Sequence, residues 1–179
     1  MRNTIIAIAM ASVCSLATAG YNDQAALALA KPQEFIADKS LSPEATAAML
    51  APAKAFYGFW NNASQQLLDR AIAPDFVDHT PPPGRQQGPQ GPMLAAKAFL
   101  AAIPDLKVTV VQQLLVGDRV VSHLRMTGHF TGMFKGRQGE GQKIDIIATD
   151  ILRVRGGRIT DNWHLEDNLA FMTQIGLVQ

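Results

Sequence analysis

A chain of 179 residues, 47% hydrophobic and 17% charged, carries enough apolar material for one globular domain with its own core. Its 16 basic and 15 acidic residues give a formal net charge of +1, which leaves no electrostatic footprint for a nucleic acid or another long polyanion.

The first 19 residues place Arg2 ahead of an apolar run from Ile5 to Ala17 and end in Ala17-Thr18-Ala19. A short charged region, a hydrophobic region and an A-x-A site predict a signal peptide over residues 1–19. The run is shorter than the ~20 residues a membrane-spanning helix needs. Cleavage would remove Arg2 and Cys14, the single cysteine, leaving 15 basic and 15 acidic residues and no thiol chemistry. The expected location is the periplasm or the extracellular space, with no membrane contact after cleavage.

Residues 20–42 are Ala-rich with weak periodicity and read as a leader ahead of a domain spanning 43–179. Ser42 can cap a helix that has Pro43 at its first position and Glu44 at its positive end. Leu41, Ala45, Ala48, Met49, Phe56, Phe59 and Trp60 approximate its apolar stripe. NNASQQLLDRAIA reads as a second, short helix, with Asn62 a candidate cap and Pro74 its stop. DFVDHTPPPGRQQGPQGP is a short extended piece followed by a loop, and MLAAKAFLAAI is a third helix ended by Pro104. The period then changes from 3.6 to 2. LKVTVVQQLLV, RVVSHLRMTGHF, KIDIIATDILRV and RITDNWHLED read as four strands, with hairpin turns at Gly117-Asp118 and Gly156-Gly157. TGMFKGRQGEGQ is expected as a mobile connection and NLAFMTQIG as a terminal helical turn or two. Helices followed by an antiparallel meander make an α+β domain, with helices on one face of a curved sheet.

Alternation sorts the polar residues onto faces. Asn162, His164 and Glu166 share one face of the last strand; Ile159, Asp161, Trp163, Leu165 and Asp167 share the other. On the second strand His123, Arg125 and His129 share a face with Val121 and Thr127, opposite Val120, Ser122, Leu124 and Met126. Faces that mix apolar residues with a few titratable groups suit a pocket. Counting outward from Gly156-Gly157 brings Asp150 near residues 163–165. A carboxylate there would orient the His164 imidazole for proton transfer near neutral pH; an inter-strand salt bridge on a solvated face is the alternative. His79 either caps a turn or looks into the open end of a helix–sheet cavity. His123 and Arg125 contact a ligand or face solvent or a neighbouring subunit. The four histidines show no metal-binding spacing, and there is no Walker loop, no GxGxxG, no G-x-S-x-G and no catalytic cysteine, so neither a metal nor a cofactor is expected.

The run from Asp75 to Gly136 and the segment from Ile151 to Gly176 resemble the SnoaL-like polyketide cyclases and their ester-cyclase-like relatives. Asp78-His79-Thr80-Pro81, Ile103-Pro104-Asp105-Leu106, Gly117-Asp118-Arg119-Val120-Val121, the Thr-Gly-x-Phe pattern at Thr131 to Phe134 and the Gly-Arg-Ile…Asn-Trp…Asp run carry the resemblance, which covers roughly Ala51 to Gly176. It implies the nuclear transport factor 2-like cone, in which N-terminal helices pack on a curved, mostly antiparallel sheet enclosing a pocket. In the cyclases so named, an acid/base side chain removes a proton alpha to a carbonyl and later protonates the new alkoxide, without cofactor or metal. That acid/base Asp directly follows the terminal-strand Trp and has a His partner on the preceding strand. Here His164 follows Trp163 and Asp150 takes the preceding position, so the two residue types are exchanged. The resemblance implies His164 as general base, Asp150 as its orienter, His79 or Arg125 as oxyanion or substrate contacts, and His123, Trp163 and Asp167 as further substrate-binding candidates. A small hydrophobic carbonyl or ester substrate and a homodimer are the expected partners. Two other readings are a non-catalytic binding module using the same cone, and a structural homodimer whose polar strand face is the interface.

Overall fold

The computed structural model describes residues 20–178, so the expected signal peptide lies outside the described residues. Asn22 caps α1 (Asp23–Leu29) by accepting a hydrogen bond from the Ala25 N–H. The segment read as a leader thus contributes to the domain. Ala26 and Ala30 are buried, and β1 (Glu34–Ala37) joins the main sheet. Small side chains permit this. Alanines on α1, and Gly58 opposite Leu27, let two helices approach closely; a Cβ added at Gly58 would stand 3.1 Å from Leu27 Cδ2.

The second helix, α2 (Pro43–Asn62), starts as expected, with Ser42 Oγ accepting the Ala45 N–H at 3.1 Å and Pro43 in the first turn, where its missing N–H costs nothing. It ends at Ala63 in a left-handed conformation, and Ser64 rather than Asn62 caps α3 (Gln65–Ala71). Asn62 instead accepts from the Ser64 N–H and donates to Asp23, tying the linker to α1. Pro74 does not end the helix. α3 stops at Ala71, and Pro74 lies inside β2 (Ile72–Asp78), an edge strand with irregular pairing, where a missing N–H is tolerated. α4 (Gln90–Ala102) begins three residues before the expected start.

The four expected strands are present as β3 (Lys107–Val116), β4 (Arg119–Phe130), β7 (Gln142–Arg155) and β8 (Arg158–Glu166). Between β4 and β7, the stretch expected as a mobile connection folds β5 (Met133–Phe134) and β6 (Arg137–Gln138) into a small hairpin. Gly132 allows it: an added Cβ there would strike the Ala101 carbonyl oxygen at 1.9 Å. α5 (Asn168–Gln174) follows β8.

The main sheet runs β1-β3-β4-β7-β8-β2, antiparallel through its centre and parallel at both edges. Its inner face carries Val120, Leu124 and Met126 of β4 and Ile144, Ile146, Ala148 and Leu152 of β7, all buried with Phe56, Tyr57 and Phe59 of α2. Buried Asn61 fastens α2 to the sheet. Its amide donates to the Val108 carbonyl at 3.0 Å and accepts the Val108 N–H at 2.8 Å, so this polar group keeps its partners in the core. The result is an α+β fold with a curved, mostly antiparallel sheet. Among the described residues no helix is long and apolar enough to cross a membrane.

Candidate functional site

A row of polar side chains crosses the otherwise apolar inner face. The Gly117-Asp118 turn sets Gln113 of β3 opposite Ser122 of β4, the β4–β7 register sets Ser122 opposite Asp150, and the β7–β8 register sets Asp150 opposite His164. All four are buried. Thr160 forms a bulge in β8, with Val154 facing Ile159 and Arg153 facing Asp161, and that bulge brings His164 into register with Asp150.

His164 does not hydrogen-bond to Asp150. Its Nδ1 lies 2.7 Å from Glu166 Oε1, and its Nε2 lies 2.9 and 3.0 Å from the two oxygens of Asp78. Carboxylates only accept, so both ring nitrogens must donate, and that requires the imidazolium form. Burial alone would lower the His164 pKa, but the bonds and charges of Asp78 and Glu166 overcome it and raise it from 6.5 to about 10. The same bonds hold both carboxyls below their usual range despite burial, helped by the positive charge of Arg85. Arg85 Nη1 sits 3.6 Å from Asp78 Oδ2.

Local structure aims these groups. β2 runs parallel to β8, with Asp78 beside Asn162, so the Asp78 side chain reaches His164 two residues on. Thr80 extends the pairing through its hydroxyl, which donates to the His164 carbonyl at 2.9 Å and accepts the His164 N–H at 2.8 Å. Gln87 folds the proline-rich loop back, accepting the Asp78 N–H and donating to the Asp78 carbonyl.

Asp150 is the group left without its own cation. Burial is the main cause that lifts its pKa from 3.8 to about 7; the His164 charge opposes the rise, and the charges of Glu166 and Asp78 add to it. The buried Tyr57 hydroxyl stands beside Asp150 and Ser122 without a hydrogen bond of good geometry. Burial and the Asp150 charge push its pKa well above the ordinary phenol value.

Asp150, His164, Asp78 and Glu166 line a cavity of about 230 Å³. Phe56 and Trp60 of α2, Phe76 of β2, Phe99 of α4, Leu124 and Met126 of β4, and Phe134 and Phe171 supply apolar walls. Asp78, Asp150, Asn162, His164 and Glu166 supply the polar side, and Pro82, Pro83 and Arg85 of the loop border it. Asn162 Oδ1 is buried and unpartnered. A mostly apolar enclosure with a few aimed polar groups is the usual form of a small-molecule site.

Of the residues singled out from the sequence, His164 and Asp150 reach this cavity. The others do not, which corrects the expectation that they share it. Alternation turns Asp78 inward and His79 outward, where His79 stacks on Trp163 at 4.3 Å and meets Asp161 at 2.8 Å. Trp163 lies on the outer face between Arg119 and Arg153. His123 and Arg125 also lie on the outer face, because Ser122, Leu124 and Met126 take the inner one. His123 meets Thr149, and Arg125 pairs with Asp145. Asp167 caps α5 by accepting the Ala170 N–H. Asp78, Arg85, Asn162 and Glu166 were not singled out as site residues. Period-2 alternation from His164 already put Asn162 and Glu166 on its face; no sequence signal paired Asp78 with β8.

A family model for the SnoaL-like polyketide cyclases matches residues 52–175. Among solved structures, a candidate polyketide cyclase from Bacillus cereus is 37% identical, with a TM-score of 0.77 over 84% of this chain and 95% of that one. IdmH, a candidate polyketide cyclase from Streptomyces antibioticus, is 28% identical, with a TM-score of 0.62 over 70% of this chain and 98% of that one. A Catenulispora acidiphila protein with a ketosteroid isomerase-like fold is 21% identical, with a TM-score of 0.55 over 76% of this chain and 95% of that one, and supports the fold alone. No curated protein matches the chain.

Proposed function

This chain belongs to the SnoaL-like polyketide cyclase family, and we propose that it performs cofactor-independent acid/base chemistry on a small hydrophobic carbonyl or ester compound, with Asp150 as the group that moves the proton. The observation that carries this reading is the buried Asp150 carboxyl lining an apolar cavity with no cation bonded to it, where burial lifts its pKa to about 7. Such a group is poised to take and return a proton at neutral pH. His164, held charged with both N–H donors committed to carboxylates, is a poor base. The roles that the resemblance implies are therefore exchanged: Asp150 is the acid/base, and His164 is a positioning residue whose charge keeps the Asp150 pKa from rising further. In the step, the Asp150 carboxylate removes a proton alpha to the substrate carbonyl and leaves an enolate. The enolate either attacks a second carbonyl in the same molecule or is reprotonated at another carbon, and the Asp150 carboxyl returns the proton. The unpartnered Asn162 Oδ1 can accept a hydrogen bond from a substrate hydroxyl.

The test needs no natural substrate. Deuterium uptake from heavy water into the alpha position of a small cyclic beta-keto ester, followed by mass spectrometry, should be accelerated by the protein, with a rate that rises as pH passes about 7. If the compound binds without faster exchange than in buffer, the cone is a binding module. We also propose a second copy of the chain as partner of the outer sheet face, where Ile147, Ile151 and Leu165 expose apolar surface; sedimentation should then give a dimer. The reading extends to export, on the strength of residues 1–19.

A further inference from the structure

Lys135 is the one cationic side chain lining the cavity that has no carboxylate within ion-pair distance among the described residues. His164 takes Asp78 and Glu166, and Arg85 stands by Asp78. The Lys135 Nζ lies 5.7 Å from the centroid of Phe134, a wall of the cavity, so an exposed lysine lies along the cavity's apolar lining. Its backbone is a second, independent observation. Lys135 has φ 47° and Gly136 has φ 80°, so the two-residue turn between β5 and β6 has positive φ at both central positions. Asn, Asp or Gly normally fills the first of these, and a lysine there is strained. Non-glycine residues held in the left-handed region cluster at active sites and ligand clamps.

We propose that Lys135 is the anion-recognising residue of this cavity, and that its ligand has an apolar ring body seated among Phe56, Trp60, Phe99 and Phe134 and a carboxylate at the mouth. The inference rests on the cavity being the ligand site and adds a charge to the substrate class. On the polar side the charges of His164 and Arg85 are already taken by Asp78 and Glu166, and Asp150 stands there without a cation, so the acid group of the ligand is oriented toward Lys135 and its uncharged carbonyl end toward Asp150.

Amide NMR titrations with naphthylacetate and its neutral analogue naphthylacetamide test this. The native protein should bind the acid about fivefold more tightly than the amide, the scale of one partly exposed charge pair. Lys135→Asn should abolish that preference, leave affinity for the amide unchanged and raise the melting temperature, because asparagine suits the turn. Lys135→Arg should keep the preference. A preference that survives in Lys135→Asn, or equal binding of both compounds by the native protein, overturns the assignment while leaving the cavity as the ligand site. Binding of neither compound overturns both.

Discussion

Asp150→Asn is expected to abolish catalysed proton exchange at the substrate carbon and, at the same time, to make the fold more stable at about pH 8. Both effects have one cause. The native carboxyl is buried and its pKa stands at about 7 rather than 3.8. Each pKa unit is worth about 1.36 kcal/mol, so ionised Asp150 costs the fold about 4 kcal/mol above neutral pH. A carboxyl whose folded value is raised carries no penalty below its unfolded value, where both states are protonated. The penalty grows from pH 3.8 to about 7 and is then constant. Asparagine has no charge to bury and keeps the side-chain shape. Urea unfolding of the two proteins should therefore diverge steadily across that window and coincide below it. Equal stability at all pH would mean that Asp150 is not strained by ionisation, and the base would have to be sought elsewhere.

His164→Gln should cost about 3 kcal/mol near neutral pH, because it takes the imidazolium from buried Asp78 and half-buried Glu166. The folded pKa of His164 is raised, so its contribution is complete below 6.5 and is lost as pH climbs through about 10. Asp78 and Glu166 are lowered, so theirs is present above their unfolded values and is lost on acidification. The deficit of the variant should thus be largest at about pH 6 to 8. It should shrink in acid, where the carboxyls take up protons, and in alkali, where native His164 loses its own. A deficit independent of pH would point to lost packing alone. The native protein itself should soften between pH 6.5 and about 10.

What could be read from the sequence follows from counting. Gly156-Gly157 is a tight turn, and counting back from it put Asp150 near residues 163–165; the bulge at Thr160 selects His164. Ser42 and Pro43 mark a helix start by local chemistry, and the start is where they put it. Asp78 could not be found this way. β2 pairs with β8 in parallel, with more than 80 residues between Asp78 and Asn162 and no turn to count from. Alternation divides β4 into two faces but does not say which one is covered, so it leaves His123 and Arg125 open between ligand contact and an outer face. The more apolar set, Val120, Leu124 and Met126, was the usable signal, and it marks the inner face. Lys135 was hidden in a Gly-rich stretch whose hairpin depends on close approach to α4 at Gly132.

The most direct measurement is the carbon-13 NMR titration of the Asp150 side-chain carboxyl, assigned by its disappearance in Asp150→Asn. The account predicts an apparent pKa of about 7, with His164 remaining charged through the same range. A carboxyl that titrates near the ordinary aspartate value would contradict it, because Asp150 would then be a permanent anion with no proton to return.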